Sequence, residues 1–213
     1  MNKRVLSVVA LISLIGVSWV FLYRTVTSSG LDLDPYVVLG QGAARETSKA
    51  LRGSGRIVIV DASFGEFKIL APTTSAQIRA FKKAIRGTDL KVVAVEEASI
   101  DPPSMSRTGI FMRPKELSKL LAKHSGADAL VLFVGLANRE DVVATRSSNG
   151  KPQIMMVGNF DPFYRNLLAA RAIHLAIAPR VQGDSQTPLS HESQDEFERQ
   201  HLVLTPENVK EAP

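Results

Sequence analysis

The stretch Arg56-Ile57-Val58-Ile59-Val60-Asp61-Ala62 decides how this 213-residue chain is read. Four consecutive β-branched apolar residues without polar alternation describe a strand buried on both faces, and Asp61 stands at its end. Runs of this kind belong to parallel sheets covered by helices on each side. Four more follow, at residues 90–95, 128–134, 153–157 and 173–178.

The segments around these runs have helical spacing. Upstream, Leu33, Tyr36, Val37, Ala44, Thr47 and Leu51 recur at steps of three and four, predicting an opening helix that stops at Gly53-Ser54-Gly55. Gly40 is the weak point of that stripe. Thr73 or Thr74 caps a second helix to about Arg86, with Ile78, Phe81 and Ile85 on one face and Gly87 closing it. Pro114 opens a third helix with Leu117, Leu120 and Leu121 inward, and Asp161-Pro162 opens a fourth reaching about Ala172. Strands and helices in alternation, joined by right-handed crossovers, predict a single doubly wound, three-layer (Rossmann-like) α/β domain over residues 33–180, with a mostly parallel five-stranded sheet. One alternative is local: residues 141–145 followed by Ser148-Asn149-Gly150 carry a hairpin signal, which would make an antiparallel pair with strand four.

One N-terminal transmembrane helix is expected before this domain. Residues 1–4 include Lys3 and Arg4, residues 5–23 are uncharged, and Arg24 follows. The 19 residues of that run span roughly 28 Å as a helix, near the ~30 Å core of a bilayer. Trp19, Phe21 and Tyr23 gather at its far end, where amphipathic rings favour the headgroup level. Basic residues before the run favour a cytoplasmic N-terminus and an exported C-terminal domain, periplasmic or extracellular. The bilayer is thus the first expected partner, through residues 5–23, and residues 24–32 are a short polar linker. The rival is a cleaved signal peptide, whose apolar region is usually shorter and ends in an A-x-A-like site. The nearest such site here, Val26-Thr27-Ser28, lies beyond Arg24.

Cysteine is absent, which removes disulfides, thiolate nucleophiles and Cys-based zinc sites. The net charge of +5 is uneven. Residues 181–213 hold seven acids against Arg199 and Lys210, and with no periodic apolar pattern beyond Leu202-Val203-Leu204 they read as a polar, acidic, disordered tail. The docking of a strand or helix around residues 197–204 is the alternative. Residues 25–180 carry 21 basic against 14 acidic residues. These cations are spread over every predicted helix without an aromatic-basic stripe, so nucleic acid is not expected as a partner. A basic domain held at a membrane surface is expected instead to have a protein neighbour.

Candidate chemistry is sparse. Ligands of open α/β sheets gather beyond the carboxyl ends of the strands. Those ends supply Asp61, Ser63, Glu96, Glu97, Asn138, Asn159 and Asp161 as candidate ligand-binding residues. The run Gly40-Gln41-Gly42-Ala43-Ala44-Arg45, with Asp61 downstream, invites comparison with a dinucleotide-binding turn. Arg45 stands where that fingerprint needs a third glycine, and the same residues fit one amphipathic helix. The four histidines are scattered without metal-ligand spacing, and no G-x-S-x-G elbow or phosphate loop is present. No catalytic residue, cofactor or metal is expected.

The succession of strands and helices from 55 to 180, closing on Ile173-His174-Leu175-Ala176-Ile177-Ala178-Pro179-Arg180, resembles one lobe of a periplasmic solute-binding protein. The likeness is one of architecture and carries no diagnostic motif. It implies solute binding, and such proteins clamp ligand between two lobes where this chain has length for one. The leading expectation is a single-pass anchored protein whose exported α/β domain is a non-catalytic binding or assembly module. The alternatives are a nucleotide- or small-molecule-binding enzyme using the turn at residues 40–45 with Asp61, and a secreted solute-binding-like protein after signal cleavage.

Overall fold

The computed structural model describes residues 32–63, 71–100, 111–113, 115–136, 152–158, 164–180 and 196–209. Helix α1, Asp34–Ala50, leads into strand β1, Ser54–Ser63. Its end is fixed by backbone geometry. Gly53 N–H donates to the Ser48 carbonyl at 2.8 Å and Arg52 N–H to that of Lys49 at 3.1 Å, the paired bonds of a Schellman stop. Gly53 sits at φ 83°, a conformation that favours glycine.

Six strands form the main sheet in the order β2-β1-β4-β6-β7-β8. Here β2 is Asp89–Ser99, β4 Ala129–Leu132, β6 Gln153–Val157, β7 Leu175–Pro179 and β8 His201–Leu204. All neighbours run parallel except β7 with β8. A second, two-stranded sheet pairs β3, Phe111–Met112, with β5, Gly135–Leu136.

Helices cover both faces of the main sheet. Ile57, Ile59, Val131, Met155 and Ile177 pack with residues of α1 and of α2, Ala71–Ala84. On the other face Val58, Val60, Leu130, Leu132 and Met156 pack with α3, Glu116–Lys123, and α4, Tyr164–Ala169. The run Ile57 to Val60 has no exposed surface at all, and each such side chain contributes about 1.5–3 kcal/mol by leaving water. The α/β class and the mostly parallel sheet read from the sequence are what the chain forms.

Several details differ. The sheet has six strands in place of five, because the tail expected to be disordered from 181 onward folds over residues 196–209. Helix α5, Glu196–Gln200, buries Phe197 against α1, and β8 then pairs antiparallel with β7 through Ile177↔Val203 and its neighbours. Few apolar residues suffice there because β7 would otherwise expose an edge.

The turn at residues 40–45 is also corrected: α1 runs unbroken through Gly40, Gly42 and Arg45. Both glycines serve packing. A methyl group at Gly40 would strike the Gln77 carbonyl of α2, and one at Gly42 would strike the Phe197 ring. The nucleotide-binding alternative loses its loop by that finding.

Among the described residues no helix is long and apolar enough to cross a membrane. The expected anchor at 5–23 lies outside the described residues, as do the linker through residue 31, the hairpin segment 141–150 and the tail residues 181–195.

Candidate crevice at the carboxyl edge of the sheet

Strands β1 and β4 pair only as far as Val60↔Leu132, followed by the Phe133 N–H donating to the Val60 carbonyl at 2.9 Å. Beyond that point the two part. β1 continues through Asp61, Ala62 and Ser63 beside β2, while the chain after β4 leaves the sheet to pair as β5 with β3. The connection order reverses at the same place, since β2 lies on one side of β1 and β4, β6 and β7 on the other. Open α/β sheets take ligands outside such a switch point. Phe133 lies at the parting and meets Phe81 edge-on, ring centroids 6.0 Å apart.

Asp61 is the polar residue that β1 brings to this crevice. It is half-buried, and its Oδ1 accepts the Ala62 N–H at 2.8 Å. Burial pushes its carboxyl above the ordinary range, the Ala62 bond draws it back, and the charge of Glu97 pushes it up again. Glu97 is its register partner on β2, one strand spacing or about 4.8 Å away along the hydrogen bonds. The two carboxylates stand side by side on the α2 face. Such a pair accepts hydrogen bonds from hydroxyl groups, and a proton on Asp61 would add a donor.

The pairing depends on one extra residue. The register of β1 with β2 slips between Ile57↔Val92 and Val58↔Ala94, leaving Val93 as a bulge. Without it, Glu96 in place of Glu97 would lie opposite Asp61. With it, Glu96 falls opposite Val60 on the α3 face. There its Oε2 accepts from Lys123 Nζ at 2.8 Å and its Oε1 lies 3.0 Å from His124 Nε2. The Lys123 bond holds its carboxyl below the usual range; burial opposes it, and the His124 bond and the charges of Lys123 and His124 add to the lowering.

Of the sequence candidates, Asp61 and Glu97 therefore come together, Ser63 stands farther along opposite Ser99, and Glu96 secures α3. Asn138, Asn159 and Asp161 lie outside the described residues. Among the described residues no three His, Asp or Glu side chains converge as a metal site would require.

One residue of the crevice wall carries no sequence signal. Tyr164 is fully buried, and its hydroxyl accepts the Leu136 N–H at 3.0 Å while donating toward the Leu136 carbonyl at 3.5 Å. It pins β5 where the chain leaves β4. In the sequence it reads as one more core aromatic.

The sequence matches no protein-family model and no curated protein. Solved structures share the fold. The arabinose-binding protein of Geobacillus stearothermophilus is similar with a TM-score of 0.53 at 13% identity, over 83% of this chain and 62% of that one. The sugar-binding protein of a sugar ABC transporter from Bacillus halodurans gives 0.55 at 15% identity, over 83% of this chain and 63% of its own. This chain spans less than two thirds of the length of either protein. At these identities the likeness is one of fold: an α/β domain with a mostly parallel sheet.

Proposed function

We propose that this protein binds a small hydroxyl-rich solute, of the sugar class, in the crevice where β1 and β4 part. The observation that carries the reading is the place of Asp61, half-buried at the switch point with Glu97 beside it. A half-buried carboxylate with a second, exposed one beside it suits the hydroxyls of a sugar, and a charge-assisted hydrogen bond contributes about 1.5–3 kcal/mol. The solute-binding character of the proteins with this fold supports the class of ligand. The α/β domain described offers one wall of the crevice, and in this reading a second body covers the ligand.

The apolar run at residues 5–23 favours export. It either remains as a single-pass anchor with the α/β domain outside the cytoplasm, making this an anchored binding or assembly module, or is removed to release a secreted protein. The intact mass of the mature chain separates the two, because a retained Lys3 is incompatible with cleavage.

Titration calorimetry of the full chain in detergent micelles with a panel of pentoses and hexoses tests the binding. Saturable binding by at least one sugar is expected, with a loss of tenfold or more in Asp61→Asn and little change in Glu96→Gln. A panel without saturable binding, or equal affinity in Asp61→Asn, removes the reading.

A further inference from the structure

The tail that completes the sheet also closes over a second polar feature. A cavity of about 440 Å³ lies between α1 and the α5–β8 unit, lined chiefly by Arg45, Glu46, Lys49, Arg180, Glu198 and Arg199. Its frame is held by one ring. Phe197 packs into the space that Gly42 leaves, the Arg45 guanidinium carbon lies 5.1 Å from the ring centroid, and His201 stacks on the same ring at 5.1 Å.

Four cations line this space against two carboxylates. Glu46 Oε1 is shared between Arg45 Nε at 3.2 Å and Lys49 Nζ at 2.8 Å. Glu198 Oε1 lies 3.6 Å from Arg45 Nη2. Both acids are thereby engaged by α1. Arg180 Nε donates to the carbonyls of Glu198 at 2.9 Å and His201 at 3.2 Å, neutral acceptors that orient the guanidinium without balancing its charge. Arg199 makes no ion pair among the described residues. Burial keeps His201 below its ordinary pKa, against the pull of the Phe197 carbonyl that its Nδ1 contacts at 3.3 Å, so it supplies a stacking surface without charge at neutral pH. Among the described residues the cavity thus holds two positive charges more than its carboxylates answer.

We propose that this cavity is a binding site for a small multivalent anion, a molecule with two or more carboxylate or phosphate groups. Guanidinium forks match both groups in geometry and bind them through paired hydrogen bonds. The volume lies within the ~300–1,000 Å³ typical of small-ligand pockets. Arg180 is already oriented by two backbone carbonyls, which reduces the ordering that binding requires. This site uses no residue of the β1–β4 crevice, and its ligand is of the opposite chemistry to an acid-lined sugar site.

The test is calorimetric titration of the full chain in detergent micelles with citrate and with inorganic phosphate, sodium chloride holding the ionic strength constant. Saturable one-to-one citrate binding is expected, with phosphate weaker. Affinity should fall tenfold or more in Arg199→Gln and by a smaller factor in Lys49→Gln, while Asp61→Asn leaves it unchanged. Arg199 and Lys49 are exposed, so both variants should melt as the unaltered protein does. No heat beyond that of chloride, or equal citrate affinity in Arg199→Gln and Lys49→Gln, overturns the proposal. So does binding seen only after Asp184, Glu192 and Asp195, the acids between Arg180 and Glu196 in sequence, are changed to Asn, Gln and Asn. The chain's own carboxylates would then be what the cations answer.

Discussion

The crevice at the carboxyl edge and the cavity beside β8 are both polar, and they are made in opposite ways. The crevice places two acids side by side on adjacent parallel strands, so its geometry follows from hydrogen-bond register. The cavity gathers cations from α1, from the end of β7 and from α5, and what aligns them is the packing of Phe197 against Gly42. A register-built site is as durable as the sheet. A packing-built site is as durable as its central contact.

Removing that contact should separate the two most widely. Phe197→Ala deletes a ring that is 2% exposed, and truncation of a buried Phe costs about 3–5 kcal/mol. The α5–β8 unit should loosen from α1, and citrate binding should be lost. The register of β1 with β2 and β4 involves no residue of α5, so solute affinity at the crevice should change little under conditions where the domain remains folded. Denaturant unfolding gives the first quantity and the two titrations give the others. Parallel loss of both ligands would break the distinction.

The glycines of α1 sharpen it at smaller scale. In an unconstrained helix Gly→Ala stabilises by about 1 kcal/mol, whereas forcing a group into packed surroundings costs about 1–3 kcal/mol. At Gly42 the added methyl meets the Phe197 ring, and at Gly40 it meets the backbone carbonyl of Gln77. Overpacking should win at both, leaving each variant less stable by up to about 2 kcal/mol. Only Gly42→Ala should also weaken citrate binding. A rise in melting temperature at either position would show that the close approach is not made.

How much of this could be read beforehand follows the same division. The strands from Arg56, Asp128, Gln153 and Ile173 were visible because burial on both faces leaves an apolar run with no other explanation, and the one from Leu90 was visible by its Val-rich run although it is an edge strand with Val93 and Val95 exposed. Asp61 was visible because it ends one of those runs. The choice between Glu96 and Glu97 was not, because it turns on the bulge at Val93, one extra residue within a run that is apolar either way. The tail failed for another reason. Phe197, Leu202, Val203 and Leu204 lie in acidic, polar surroundings that by composition describe an unfolded segment. Their partners, Gly42 and the open edge of β7, are far away in sequence. Gly40 and Gly42 looked like a weak helix or a phosphate turn because the ring and the carbonyl that they admit come from elsewhere in the chain.

The smallest expected difference lies in how the two sites answer pH. His201 has a folded pKa below its unfolded value of 6.5, chiefly from burial. Its contribution to stability is present above pH 6.5 and is lost as pH falls toward the folded pKa, because the unfolded chain takes up the proton first. His174 is depressed in the same sense, by burial and then by Arg171. It accepts the Ile154 N–H through Nδ1, a bond that needs the neutral ring. Asp61 runs the other way. Its folded pKa is above the unfolded 3.8, so its contribution is present below 3.8 and is lost as pH rises through the folded pKa. Lowering pH from 7.5 should first weaken the domain through the histidines and then, at more acid pH, recover part of that through Asp61. Since Glu96 and other carboxylates titrate in the same range, the informative quantity is the difference between melting curves of variant and unaltered protein. Subtracting His201→Gln should remove part of the slope just below pH 6.5, the remainder belonging to His174. Subtracting Asp61→Asn should remove a term confined to the acid side, with the opposite sign. Two differences of the same sign would mean that Asp61 is not held in the half-dry crevice on which the proposed solute site depends.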